Sequence, residues 1–318
     1  MALEYRLFQS FRVNGTAIPL NNIQRAQWLE GCDLLLPAVL FDFDDPSGDL
    51  ASALLTGEQA LLEVEMQLDR QRERAAGERS TIRGDFHPLR CVRLKDRNAG
   101  YSVLALASGL LPLLRRKELI LPQTSLGEIL TSITPAFPLQ SEVLLPLLDF
   151  HCLWERPCVP VAQWLRKQGL QIAAFDQTWK ALDLGSTSTD PVKRTYYPPD
   201  VSIPHPLLEC RTMPADWLTT QLQDRQAFHV DFIEGPTQYD KPPDFEPSKD
   251  AGEAQRSHRS IRPLADFLTS ASLEIRPLDP IRIEPRGETP LEGFVWRTSW
   301  LDTGTRAMQR ILLGERLQ

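Results

Sequence analysis

The sequence predicts a mainly β protein with an α/β insertion: two small β-barrels flanking a small α/β module. The first of three observations behind this is the closing segment from Pro277, where two period-two runs meet at Asp302-Thr303-Gly304. Phe294, Trp296, Thr298 and Trp300 fall on one side of the first run, and Thr305, Ala307, Gln309, Ile311 and Leu313 alternate along the second. Alternation of this kind specifies strands, and Asp-x-Gly between them specifies a hairpin. The second observation is a series of short alternating runs with turn pairs in the N-terminal third, the pattern of a small barrel. The third is a switch to helical spacing between these two regions.

Tyr5 to Val13 reads as a strand ending at the turn pair Asn14-Gly15. Val39, Phe41 and Phe43 alternate with Leu40, Asp42 and Asp44, and Pro46-Ser47-Gly48 closes that run. Leu62, Val64, Met66 and Leu68 alternate with Glu63, Glu65 and Gln67, which gives one buried and one wet face. Arg70 to Ser80 is a charged loop or hairpin tip. Arg90 to Lys95 and Tyr101 to Ala107 are further strands turning at Asn98-Ala99-Gly100. These elements make a first barrel over residues 1–112.

Residues 113–190 form the α/β module. Ser125 three residues before Glu128 has the spacing of a capping box, and Leu126, Ile129, Leu130 and Ile133 follow at i, i+3, i+4 and i+7 until Pro135. A second helix runs from about Pro160 to Gln168, with Val161, Trp164 and Leu165 on one face and Gly169 at its stop. Leu170 to Phe175 and Trp179 to Leu182 form a β-pair. Gly185 to Pro199 reads as a linker. The second barrel, residues 191–318, includes a short helix from Pro214 burying Trp217, Leu218 and Leu222, and a strand from Phe228 to Ile233. A proline-rich charged loop follows at about 236–259, then an amphipathic helix through Leu264, Phe267, Leu268 and Ala271.

Composition narrows the function. The 318 residues carry 42% hydrophobic and 24% charged side chains, ordinary for a globular protein. The net charge of -7 disfavours nucleic-acid binding, because phosphate contacts need Lys and Arg to release counterions. The 26 prolines suit loops and edge strands. Five cysteines, an odd and scattered set, read as reduced thilos of a protein made in cytosol rather than as a disulfide framework. The start carries no signal-peptide core, and the apolar run Val103 to Leu114 is too short to span a bilayer. A soluble chain is expected.

No catalytic, cofactor or metal site is expected. His151, Cys152 and Cys158 lack the second close pair a zinc site needs and read as structural residues. Asp42, Asp44 and Asp45, beside Asp49, lie in strand-like surroundings unlike a calcium loop and read as a solvated strand end, with weak divalent binding as the alternative. His87, His151, His205, His229 and His258 fit no HExxH, and the chain has no GxSxG, Walker loop or GxGxxG. The seven Trp residues read as core or interface anchors. Arg70, Arg72 and Arg74, and Arg115-Arg116-Lys117, read as solvated or intersubunit charge.

The order of barrel, α/β module, linker and second β-rich unit resembles the central hub proteins of phage tail baseplates and the matching region of type VI secretion spike proteins. Three stretches carry the likeness: the N-terminal unit with Asn14-Gly15 and GEQALLEVEMQL (57–68); SLGEILTSI (125–133) with VPVAQWLRKQGLQIAAF (159–175); and the closing run from Pro280 to Leu313. The chain departs from some relatives in carrying no lysozyme-like or peptidase-like module and no repetitive β-helix needle, so a separate spike would be required. The resemblance implies a ring-forming homotrimer in which two similar barrels per chain adapt a six-fold tail tube to a three-fold spike. It implies as partners the chain itself, a tail tube or distal tail protein, a spike, other baseplate proteins, and DNA passing through the lumen without specific binding. It places the protein in the virion tail baseplate, assembled in the host cytoplasm. An acidic lumen is expected from the net charge. The ring contacts are expected at the strand Tyr5 to Val13 and at the hairpin Phe294 to Leu313, taken as sheet edges. The alternatives are a hydrolase whose site only the fold assembles, and a β-rich carbohydrate-binding adaptor displaying Trp296 or Trp300.

Overall fold

A computed structural model describes residues 6–32, 36–56, 60–68, 81–95, 99–140, 147–168, 170–183, 191–198, 206–212 and 261–316. The first lobe contains β1 (Phe8–Val13), β2 (Thr16–Ala17), β3 (Ile23–Gly31), β4 (Ala38–Asp44), β5 (Leu62–Gln67), β6 (Thr81–Arg93) and β7 (Gly100–Ala107), with α1 (Asp49–Thr56) between β4 and β5. Asn14 and Gly15 both take positive φ, 50° and 81°, and Val13 pairs with Thr16 across them. That is the two-residue turn an Asn-Gly pair favours. The Asn14 side chain also accepts a hydrogen bond from the Leu61 N–H at 2.9 Å, fixing the turn to the approach of β5.

The middle module is β8 (Lys117–Thr124), α2 (Leu126–Ile133), β9 (Leu139–Gln140), β10 (Leu148–Glu155), α3 (Cys158–Gln168), β11 (Leu170–Phe175) and β12 (Thr178–Asp183). The capping box closes as the spacing predicts: Glu128 N–H donates to Ser125 Oγ, and Ser125 N–H donates to the Glu128 carboxylate at 2.8 Å. Leu126, Ile129, Leu130 and Ile133 are all buried. Hydrogen bonds from the Ser125 backbone, then from Thr124 and Ser125 hydroxyls, hold the Glu128 carboxyl below its usual pKa. The carboxylate's share is therefore present above the ordinary Glu value and lost as pH falls through the lowered one. Ser125→Ala is expected to lower stability by about 1 kcal/mol, read as a fall in urea midpoint at unchanged slope.

The second lobe is β13 (Arg194–Tyr196), β14 (Glu209–Thr212), β15 (Ile261–Ser270), β16 (Pro280–Ile283), β17 (Leu291–Asp302) and β18 (Ala307–Arg316). Several expectations are corrected here. The apolar set Leu264, Phe267, Leu268 and Ala271 fits helical spacing, yet Ile261–Ser270 is a strand. A nine-pair ladder with β18 and a bulge near Pro263 satisfy its backbone, and this tertiary pairing overrides the local pattern. The expected linker contains β13, whose Tyr196 is fully buried. Asp45-Pro46-Ser47-Gly48 opens a helix as well as closing a strand. Asp45 accepts from the Ala51 N–H at 2.8 Å and from the Ser47 hydroxyl at 3.1 Å. The expected elements at Pro214 to Leu222, Phe228 to Ile233 and 236–259 lie outside the described residues, as do Tyr5 and Arg70, Arg72 and Arg74.

The two lobes share one 13-stranded sheet, joined where β17 pairs with β3. Setting the two-residue β2 aside, the first lobe runs β3-β4-β7-β6-β5-β1 and the second β14-β15-β18-β17-β16-β13. Numbered in chain order within each lobe, both read 2-3-6-5-4-1. One pair differs: β1–β5 is antiparallel and β13–β16 parallel. In the second lobe Tyr197 and Pro206 bridge, bringing β13 round towards β14. In the first, Arg6 reaches from just before β1 to the carbonyls of Leu20 and of Ile23, the first residue of β3.

Candidate functional site

The seam between the lobes is the most specialised place in the molecule. β17 serves both cores because it changes phase part-way. A bulge between Val295 and Arg297 leaves Trp296 as the extra residue. Before the bulge Val295 points into the second-lobe core; after it Trp300 joins the larger first-lobe core. The expected single face of Phe294, Trp296, Thr298 and Trp300 is thus split. Gly293 is required at this crossing, since a Cβ there would lie 2.2 Å from the Gly314 carbonyl oxygen.

All three units meet at Arg276, in the connection between β15 and β16. Its Nε donates to Glu30 Oε2 at 2.7 Å and its Nη2 to Glu30 Oε1 at 2.5 Å, while Nη1 reaches Asp176 Oδ1 at 3.2 Å. Trp28 Nε1–H donates to the same Glu30 carboxylate at 3.0 Å. The guanidinium lies 4.9 Å from the Phe175 ring centre and 5.5 Å from that of Trp300. Glu30 belongs to β3 and Asp176 to the β11–β12 turn, so one cation ties first lobe, second lobe and module together. The Arg276 and Glu30 side chains are 5% and 1% exposed. Burial pushes the Glu30 carboxyl up in pKa; the Arg276 charge, its hydrogen bond and that of Trp28 pull the other way. A fully bonded pair of this kind fixes geometry more than it adds net stability.

Asp302, at the far end of β17, is a second clamp. Its Oδ2 accepts from the N–H groups of Leu7 at 2.7 Å and Phe8 at 3.2 Å, and its Oδ1 from Gly304 N–H at 2.7 Å. The Asp-x-Gly turn read from sequence therefore also anchors the first strand of the other lobe. Gly304 sits at φ +81°, which accounts for glycine there.

Beside the seam is a cleft of about 140 Å³ lined by Trp28, Phe86, Phe137, Phe175, Asp85 and Gln177. Ligand pockets run to roughly 300–1,000 Å³, so the cleft has room for little more than one side chain. Its one deeply buried acid, Glu30, is already held by Arg276 and Trp28.

The residues singled out from sequence do not converge. His151 is exposed on β10 while the buried Cys152 thiol contacts the carbonyls of Lys117 and Glu155, and Cys158 is half-buried at the start of α3. Among the described residues no three His, Cys, Asp or Glu side chains gather as a metal would need. Asp42 and Asp44 lie half-buried on β4, and Asp45 is taken up in opening α1. His87 is half-buried on β6, and His205, His229 and His258 lie outside the described residues. Trp300 is fully buried and Trp296 half-buried, so neither makes an open aromatic platform. Among the described tryptophans, Trp154, 72% exposed at φ +57°, is the exposed one. Of the two expected sheet edges, the hairpin is corrected: β17 lies between β18 and the β16/β3 side, and β18 lies between β15 and β17. β1 is at the end of the sheet, with β5 along one side and β2 and Asp302 meeting its ends on the other. Sequence reasoning missed Arg276 and Glu30 altogether.

No family model matches the chain, and no characterised protein matches it in sequence. Solved structures do. A tail protein from Neisseria meningitidis MC58 aligns over 98% of this chain and 97% of its own, with a TM-score of 0.61 at 10% identity. The 43 kDa tail protein of prophage MuSo2 from Shewanella oneidensis aligns over 97% and 96%, with a TM-score of 0.60 at 9% identity. The chain has a tail-hub fold. The Escherichia coli c3393 protein also matches, with a TM-score of 0.59 at 11% identity over 98% of this chain and 77% of that one. It is a component of the type VI secretion system with structural similarity to the T4 tail proteins gp27 and gp5. The tail-hub fold accounts for the two lobes and the inserted module together. Among the described residues, no helix is long and apolar enough to cross a membrane.

Proposed function

We propose that the chain is a structural hub of a phage or phage-like tail baseplate, without catalytic activity. In this reading three copies form a ring that adapts a six-fold tail tube to a three-fold spike and lines the DNA exit channel. The working units are residues 1–112, 113–190 and 191–318. The observation that carries the reading is the repeated strand order, 2-3-6-5-4-1 in both lobes, with the lobes joined edge to edge through β17 and β3. Two matched lobes per chain give three copies six near-equivalent positions, and a closed ring needs a head-to-tail contact of the kind the lobes already make. The tail-protein structures support the setting, the virion tail; assembly in the host cytoplasm belongs to the same proposal. The net charge of -7 motivates an acidic lumen, which would let DNA slide without sticking; a basic channel wall in the assembled ring contradicts that part.

Mixing the purified chain with the neighbouring tube and spike proteins is expected to give tubes capped at one end by a ring that carries the spike, seen by electron microscopy. Tubes that remain bare, with the chain binding neither protein, contradict the reading.

A further inference from the structure

The cleft of about 140 Å³ beside the seam has the walls of a cation site. Trp28, Phe86 and Phe137 line it, and aromatic rings attract a cation placed over them. The walls are fixed in place. Trp28 and Phe86 meet edge to face, 4.7 Å between centres and 89° between planes. A Cβ at Gly84 would lie 2.7 Å from Trp28 Cη2, and one at Gly109 would lie 2.8 Å from Phe137 Cε2, so both rings rest directly on glycine backbone.

The charges point the same way. Three carboxylates line the cleft, Glu30, Asp85 and Asp176, against one cation, Arg83. Arg276 holds Glu30 and Asp176, and Arg83 donates to Glu65 at 3.1 Å. Asp85 is exposed, and its carboxylate makes no hydrogen bond or ion pair among the described residues. The rim is also strained. Asp176 and Gln177 form the two-residue turn between β11 and β12, closed by the Phe175–Thr178 pair, at φ 54° and 56°. Asn-Gly relaxes in such a turn and Asp-Gln does not; strain of this kind persists where the surroundings or a function hold it. Asp176 is held by its bond to Arg276. Gln177 has no such tie: its amide lines the cleft and makes no hydrogen bond among the described residues.

We infer that the cleft binds the guanidinium group of an arginine presented by a partner protein, stacked among Trp28, Phe86 and Phe137 and bonded to Asp85 and the Gln177 amide oxygen. Size, shape and charge select this group. The cleft holds about one side chain. A guanidinium is planar and weakly hydrated, so it stacks on rings and forks onto a carboxylate better than an ammonium does. The molecule uses the same chemistry next door, where Arg276 lies against the Phe175 and Trp300 rings and bonds Glu30 and Asp176. The acidic rim of Asp85 and Asp176 repels the α-carboxylate of free arginine, so the group belongs to a polypeptide. The net charge of -7 favours a basic partner over a second copy of the chain. The inference goes beyond the hub reading and stands without it.

The test titrates the full chain with Nα-acetyl-argininamide and follows the Trp28 indole N–H, which donates to Glu30, by NMR. Trp28→Phe assigns the signal. A saturable shift is expected, half complete at about 1 mM. Free arginine, and the acetylated amides of lysine and norleucine, are expected to need roughly 10-fold or more higher concentration. Asp85→Asn, at an exposed position, is expected to weaken the arginine amide about 10-fold. Gln177→Gly is expected to weaken it about 3-fold and to raise the urea midpoint, since glycine relaxes the turn; a glutamine with a merely structural role would not give that split. No saturable shift, or equal binding of the lysine or norleucine amide, overturns the inference. Equal binding of free arginine overturns the polypeptide source. Asp85→Lys that breaks up assembly of the chain with itself assigns the arginine to a second copy and overturns the partner. Each of these outcomes leaves the hub reading standing.

Discussion

Arg276→Ala is expected to lower stability by about 3–5 kcal/mol, the largest effect of any single surface-to-core charge removal in the molecule's seam. The substitution leaves the Glu30 carboxylate 1% exposed with only the Trp28 N–H as donor. It also takes the cation off the Phe175 and Trp300 rings and releases Asp176. The measurement is the urea midpoint, read by tryptophan fluorescence, since Trp28 and Trp300 face each other across the seam. The double variant Glu30→Gln with Arg276→Met is expected to recover much of the loss, because no uncompensated charge stays buried. Equal losses for the single and double variants would mean that packing, not the ion pair, holds the units in place.

Asp302→Ala is the second large expectation, a loss of roughly 2–4 kcal/mol. Its carboxylate satisfies three backbone donors at once, and those of Leu7 and Phe8 belong to fully or nearly fully buried residues. Alanine leaves these donors without their acceptor and loosens the Thr303-Gly304 turn. The effect should be local first: amide exchange along β1 should quicken before that along β4 and β7. Asp302→Asn, which keeps one carbonyl acceptor, is expected to lose less. Unchanged exchange in β1 would show that the clamp does not hold the first strand.

Much of the fold was legible because local chemistry decided it. Asn14-Gly15 demanded a tight turn, Ser125 with Glu128 opened a helix, and Gln309, Ile311 and Leu313 alternated inwards along a strand. What failed was settled at a distance. Leu264 to Ala271 satisfies helical spacing and becomes a strand only because β18 is there to pair with it. Trp300 lies where alternation places it, yet the bulge at Trp296 turns the preceding half of the strand to another core, and no local residue pattern announces a bulge. Glu30 and Arg276 stand 246 residues apart, and neither sits in a motif. The hairpin read as a free edge is interior because β3 and β15 flank it, a fact of topology. The repeated strand order is equally invisible in the letters, since the two lobes share an arrangement without sharing a sequence period.

The central claim is that two matched lobes in each chain build a three-copy ring. The mass of the protein in solution, measured alone and with its tube and spike proteins, tests it most directly. The account predicts three times the 36.1 kDa of one chain, alone or on addition of those partners. A mass that stays at one chain in every mixture, or settles at two, would contradict it.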